Sequence, residues 1–221
     1  MRTRLVDLSH AIEHGMETYP GLPGPEICDF LSREASRPRY RDGATFQIGR
    51  IDMVANTGTY VDVPFHRYAD GADLARASLE HLADLAVVLV TPSLVGDARA
   101  IGPEAFEGID VEGAAVLIHT GWSRHWRTPS YGRPNPHVTR AAAQHLASKG
   151  AKFVGIDSVN IDDLADLGRP AHSVLLGAGI PIGEHFTNLA ELPKSGARLH
   201  AVPPKIAGMG TFPVRAYALV P

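Results

Sequence analysis

A chain of 221 residues that is 44% hydrophobic and 20% charged has the apolar content of a packed globular protein, which excludes a disordered or low-complexity polymer. Its formal net charge of −3 offers no basic footprint for nucleic acid, and no segment approaches the roughly 18 uninterrupted apolar residues of a membrane span. A small molecule is therefore the expected partner, with neither nucleic acid nor membrane. At this length one domain over residues 1–221 is expected. Charge returns at Asp7 before an apolar run of signal-peptide length develops, which together with the lone Cys28 reads as cytoplasmic. Cys28 is expected as a buried or half-buried filler, not as a nucleophile.

Seventeen prolines and 22 glycines punctuate the chain, favouring many short strands over long helices. Leu5-Val6-Asp7-Leu8 is the first expected strand. Gln47 to Val54 alternates well enough for another, and it delivers the chain into Asn56-Thr57-Gly58-Thr59-Tyr60-Val61-Asp62-Val63-Pro64-Phe65-His66. There Gly58 permits a tight turn and Pro64 stiffens the exit. The extended bias at Val63 before proline keeps the stretch from closing into a helix, so Asp62 and His66 can face one cavity. A carboxylate suits zinc or manganese, and an imidazole of near-neutral pKa can take a proton from metal-bound water. From the residues alone, a turn cap and a packed histidine remain open for this pair.

Ala86 to Val90 and Ala114 to Ile118 are continuous apolar runs of the kind found in strands covered on both faces. A helix is expected after Asn135-Pro136, with Asn as cap and Pro in the first turn, ending at Gly150. Val138, Ala142 and Leu146 give it one apolar stripe. Lys152 to Ile156 and Val214 to Val220 read as further strands. His172 and Glu184 flank an apolar, glycine-rich segment, Val174 to Gly183, which can fold over and bring the two together; a surface histidine and a turn-capping glutamate fit the spacing equally well. The sum is a β-rich α/β domain with few helices.

His10 and His137 are candidate pocket residues, and Tyr19, Trp122 and Trp126 are candidates for an aromatic pocket wall or for core packing. Gly177 to Gly183 has the wrong glycine spacing for a dinucleotide fingerprint. No phosphate-binding G-x-x-x-x-G-K-S/T, H-E-x-x-H or G-x-S-x-G occurs. The acidic run Asp157 to Asp163 lacks calcium-loop order and reads as architecture.

The Asn56 to His66 segment resembles the signature H-x-G-T-H-x-D-x-P-x-H of the cyclase family of metal-dependent hydrolases, which includes bacterial kynurenine formamidases and isatin hydrolases. Gly58, Thr59, Asp62, Pro64 and His66 match it, while Asn56 and Tyr60 stand where it has histidines. Asp7 to His10, Gly15 to Gly21, Thr120 to Ser123, Val154 to Asp157, Ile161-Asp162, His172 to Leu176 and Ile180 to Glu184 are similar to further family segments.

The resemblance implies a single swivelling β/β/α domain that assembles as a homodimer or higher homo-oligomer. It implies one divalent ion, zinc or manganese, at Asp62, His172 and Glu184, with His66 as general acid and base. A neutral amide and a neutral phenol are poor replacements for imidazole ligands, so a second ion is not expected. Asn56 and Tyr60 become candidate hydrogen-bond donors to a developing oxyanion. The function implied is hydrolysis of a small amide, formamide or lactone by a metal-activated water. A metal-free enzyme for lactone opening or dehydration, using His66, Tyr60 and Glu184, and a catalytically silent small-ligand-binding homologue remain as alternatives.

Overall fold

The computed structural model describes residues 3–96 and 98–221. Among them, nine strands form one mixed sheet in the order β1 (Arg4–Asp7), β13 (Tyr217–Val220), β11 (Arg198–His200), β5 (Leu85–Val90), β7 (Ala115–Ile118), β9 (Phe153–Ile156), β10 (Ile182–Glu184), β4 (Tyr60–Asp62) and β12 (Thr211–Pro213). The middle strands β5, β7, β9 and β10 run parallel, and antiparallel pairs extend the sheet on both sides.

Strands β5, β7 and β9 are apolar throughout, as suits strands covered on both faces, whereas β10 ends in the buried Glu184. Val116, Ile118, Val154 and Ile156 pack with the helices α2 (Arg140–Ser148) and α3 (Pro170–Gly177), whereas Ala115, Leu117 and Phe153 join Val61, Phe186 and Leu199 in a second core on the opposite face. The four residues of each of β7 and β9 are all buried.

The expected strands at Leu5, Ala86, Ala114 and Lys152 are present as β1, β5, β7 and β9, and the last strand begins later than expected, at Tyr217. The expected helix start at Asn135 is corrected. His137–Val138 forms the short strand β8, paired with β6 (Ala100–Ile101), and the helix begins only at Arg140, where Thr139 accepts a hydrogen bond from the amide of Ala142. The Asn135 side chain instead donates to the carbonyls of Pro136, Asn160 and Asp162. Val138 is buried all the same, from a strand and not from a helix face.

The stretch read as continuously extended to His66 also differs. Val63 is extended (φ −118°, ψ 166°), but Pro64–His66 then closes into a 3₁₀ turn with Pro64 in its first position, where proline has no amide to lose. The strand expected at Gln47 to Val54 is β3 (Ile48–Asp52), which pairs with β2 (Glu26–Leu31) in a separate ribbon outside the main sheet. Cys28 lies on this ribbon and is exposed. The short helix α1 (Arg33–Ser36) follows β2, and no helix of the described residues is long and apolar enough to cross a membrane.

Candidate active site

Strand register places the chemistry. Across the antiparallel pair of β10 and β4, Glu184 lies opposite Tyr60 and Ile182 opposite Asp62, while β12 sets Thr211 opposite Asp62. Residues two apart on a strand, and residues directly opposite across strands, share a face. Tyr60, Asp62, Glu184 and Thr211 therefore project together, toward the side covered by α3. The packing there is close enough that a Cβ on Gly210 would stand 2.2 Å from the amide nitrogen of His66, so only glycine fits. Gly58, at φ +67°, makes the turn into β4, and a Cβ there would meet Ile12 at 2.9 Å.

His172 reaches this face from the first turn of α3. Asp162 fixes it: one carboxylate oxygen accepts from the amide of Ala171 (2.6 Å), and the other accepts from the amide (3.1 Å) and from Nδ1 (2.6 Å) of His172. One side chain thus caps the helix and sets the imidazole tautomer. Nε2 is left facing Asp62 Oδ2 at 3.5 Å and Glu184 Oε1 at 3.6 Å. Asp62 Oδ2 is a buried atom with no hydrogen-bond partner. Glu184 Oε1 accepts from the amide of Ile161 (2.6 Å), and Oε2 accepts from the Tyr60 hydroxyl (2.6 Å).

The Thr211 hydroxyl stands between the other oxygen of Asp62 and His66 Nδ1, 2.7 Å from the latter. Its single proton goes to the carboxylate, so it can only accept from His66. Nδ1 of His66 therefore carries its proton, and Nε2 carries the lone pair.

Burial opposes charge on every group here, and the neighbours decide the result. For His172, burial is outweighed by Asp162, Asp62 and Glu184, and its pKa rises to about 10. Asp62 is held below the usual carboxylate range because the nearby His172, the charge of His66 and the Thr211 bond together overcome its burial. Burial pushes Glu184 up to about 7, with Asp62 adding to the rise and His172, Tyr60 and Ile161 opposing it. Tyr60 is driven well above its usual value by burial, by Glu184 and by Asp62, so it stays a neutral donor.

A cavity of about 250 Å³ opens over these groups. Tyr19, Leu22, Asn56, Tyr60, His66, Arg67, Asn160, Arg169, His172 and Glu184 line it. All six site residues expected from the sequence thus meet: Asn56, Tyr60, His66, His172 and Glu184 line the cavity, and Asp62 lies within bonding reach of its floor. Asp62, His66 and His172 each offer a ligand atom within 4.8 Å of the others; Glu184 is not of this group, although its Oε1 stands 3.6 Å from His172 Nε2. Of the expected aromatic wall, Tyr19 alone lines this cavity. Trp122 is buried with Tyr131 and Val159, and Trp126 stacks on His10 at 4.1 Å between ring centroids. His137 is turned to the carbonyl of Asn135.

Thr211 and His185 carry no mark in the sequence, and Asp162 enters only within an acidic run and within Ile161-Asp162, a segment similar to the family's, with no role attached. Thr211 lies 149 residues from its partner Asp62. His185 packs its ring 5.0 Å from that of Tyr60 and bonds to the Tyr131 hydroxyl at 2.7 Å; burial, and then His10, lower its pKa to about 3.

A family model described as "Putative cyclase" matches residues 6–163. A kynurenine formamidase of Bacillus cereus is 28% identical over an aligned length of 220 residues, covering 96% of this chain and 95% of that protein. A solved structure described as a potential metal-dependent hydrolase with cyclase activity is 26% identical, with a TM-score of 0.80 over 100% of this chain and 99% of its own. Isatin hydrolase A of Labrenzia aggregata, solved with benzyl benzoate, has a TM-score of 0.81 over 99% of this chain and 94% of its own. At 24% identity that last likeness is one of fold.

Proposed function

Because the chain belongs to the cyclase family, whose model matches residues 6–163, we propose that it is a hydrolase of a small amide, formamide or lactone with one divalent ion held by Asp62, His172 and Glu184. The observation that carries the proposal is the unpartnered, buried Asp62 Oδ2, set 3.5 Å from a His172 Nε2 that also lies 3.6 Å from Glu184 Oε1. Two carboxylates and an imidazole whose other nitrogen is engaged by a carboxylate form a donor set suited to zinc or manganese. Such an ion supplies Lewis acidity and lowers the pKa of water toward neutrality.

The chain's own residues do the rest. His66, with Nδ1 occupied by Thr211, offers Nε2 to take a proton from the attacking water and return it to the leaving nitrogen or oxygen. Tyr60 directs its proton to Glu184 and orients that carboxylate. Asn56 lines the cavity, and its amide hydrogens are available to the developing oxyanion. A cavity of about 250 Å³ falls below the roughly 300–1,000 Å³ of drug-sized sites, which supports a small substrate. The relative named for a formamidase favours a carbon–nitrogen bond.

A metal-free reading has one observation in its favour: His172 Nε2 stands 3.5 Å from Asp62 Oδ2, and the carboxylates around that imidazole, which raise its pKa to about 10, favour an imidazolium that neutralises Asp62 without an ion. Assaying purified protein against matched aromatic formamides, cyclic amides and lactones, before and after chelation, separates the two. Turnover of an amide that chelation abolishes is expected. Undiminished turnover after complete ion removal contradicts the metal assignment, and inertness toward every class contradicts hydrolysis.

A further inference from the structure

Two arginines that line the cavity, Arg67 and Arg169, are left without a role by the chemistry above. Arg67 directly follows His66 and is exposed, and Arg169 precedes α3 and is half-buried; both line the cavity beside Tyr19, Leu22 and His172. Among the described residues neither Arg67 nor Arg169 has an ion-pair partner, a lack shared with Arg99, Arg124 and others, but these two line the cavity. Their bonds are to neutral acceptors. Arg67 Nε donates to Ser173 Oγ at 3.2 Å, and the Ser173 hydroxyl donates in turn to the carbonyl of Arg169 at 2.8 Å. Arg169 Nη1 donates to the carbonyl of Asp163 at 2.7 Å, and Nη2 donates to the Tyr19 hydroxyl at 3.0 Å.

These contacts fix where the guanidiniums sit without cancelling their charge. A guanidinium carries five N–H donors, so most of each fork stays free after one bond on Arg67 and two on Arg169. Planar forks of this kind match a carboxylate with paired hydrogen bonds, and an uncompensated pair at a cavity mouth attracts an anion from solution. Both are tied to the first turn of α3, which also carries His172. An anion gripped there is held a short distance from the groups that would attack its carbonyl. The acids of the cavity do not serve as the missing counter-ions, since Glu184 is engaged by Tyr60 and Ile161 and Asp62 by Thr211. Tyr19 and Leu22 give the same space an aromatic and an apolar wall.

We propose that Arg67 and Arg169 determine specificity by holding a carboxylate already present on the substrate, so that the substrate class is a small anionic amide or lactone whose aromatic or apolar body lies against Tyr19 and Leu22. This rests on the hydrolase reading for the bond that is cleaved; the grip on the carboxylate stands separately.

Titration calorimetry with benzoate and benzamide, on protein purified without chelator and with metal content measured alongside, tests the grip without needing turnover. Benzoate is expected to bind at least about ten-fold more tightly than benzamide, less so as salt rises. Arg67→Met and Arg169→Met should each weaken benzoate by about ten-fold, the scale of a charge-assisted bond, with benzamide affinity and metal content unchanged. Arg169→Lys should recover only part of the loss, because charge returns without the fork. Arg67 is exposed, so its variant keeps the test valid if an Arg169 variant fails to fold. Equal affinity for the two ligands, or benzoate binding indifferent to both arginines, overturns the proposal.

A matched pair of substrates, N-formylanthranilate and formanilide, then separates this claim from the reaction itself. If benzoate is preferred and neither formamide is cleaved, the carboxylate grip stands and the hydrolase reading fails. Cleavage of both with equal KM means that the arginines serve at most the product carboxylate, and the specificity claim falls while hydrolysis survives.

Discussion

Tyr60 and Glu184 lie directly opposite one another on neighbouring strands, and the phenol donates a 2.6 Å hydrogen bond to the carboxylate. Both side chains are fully buried, so neither can exchange this bond for water. Tyr60→Phe should leave Glu184 Oε2 without its donor and cost about 1–3 kcal/mol of stability, the usual penalty for an unmet buried polar group. Urea unfolding at neutral pH measures it. An unchanged midpoint and slope would mean that the phenol does not support Glu184.

His66 is the proton carrier in this account, and Thr211 sets its tautomer. His66→Ala should lower turnover by about 100- to 10,000-fold, as loss of a general acid and base does, with bound metal retained. Thr211→Val removes the acceptor for Nδ1 and should lower kcat by less, while leaving KM nearly unchanged. Full activity in His66→Ala on a confirmed substrate removes His66 from the mechanism.

His10 gives the fold an acid-sensitive element away from the cavity. Burial lowers its pKa from 6.5 to about 4, and its Nε2 is buried without a partner against Trp126. The native state therefore favours neutral His10. The stability this contributes is complete above the unfolded pKa near 6.5 and is lost progressively as pH falls toward 4. His10→Phe keeps an aromatic stack and removes the titration, so its unfolding midpoint should fall less steeply between pH 6.5 and 4 than that of the unmodified protein. Parallel pH profiles would refute this.

The ribbon of β2 and β3 supports the expected assembly. Phe30 is 73% exposed, and Ile48 and Ile51 are each 48% exposed, yet a two-stranded ribbon is marginal in water without a surface to pack on. Light scattering at micromolar concentration should report a homodimer or larger species, and Phe30→Ser with Ile51→Ser should shift it toward monomer. A monomer of the unmodified chain contradicts the assembly.

What the sequence made legible follows the reach of each signal. The strands at Ala86, Ala114 and Lys152 were recognisable because burial on both faces requires unbroken apolar runs. The helix start was misplaced because the pairing of His137–Val138 with Ala100–Ile101 depends on residues more than 30 positions away, whereas Asn135-Pro136 is a strong local cap signal. The helix carrying His172 went unnoticed because Val174, Leu175 and Leu176 run together without an amphipathic period, although Pro170 in its first turn was a usable cue. Asp62, His66, His172 and Glu184 were found through resemblance to a family signature. Thr211, which positions one of them, has no such mark, and Ile161-Asp162 matches a family segment without disclosing a role, since both roles arise from sheet register and from the cap of α3.

The central claim is a single ion held by Asp62, His172 and Glu184, and the most direct test is the metal content of protein purified without chelator or a histidine tag. About one zinc or manganese ion per chain is expected, falling to near zero in a folded His172→Ala variant, because three protein ligands with an open position define such a site. No ion in the unmodified protein under metal-replete conditions, or two ions per chain, would contradict the account.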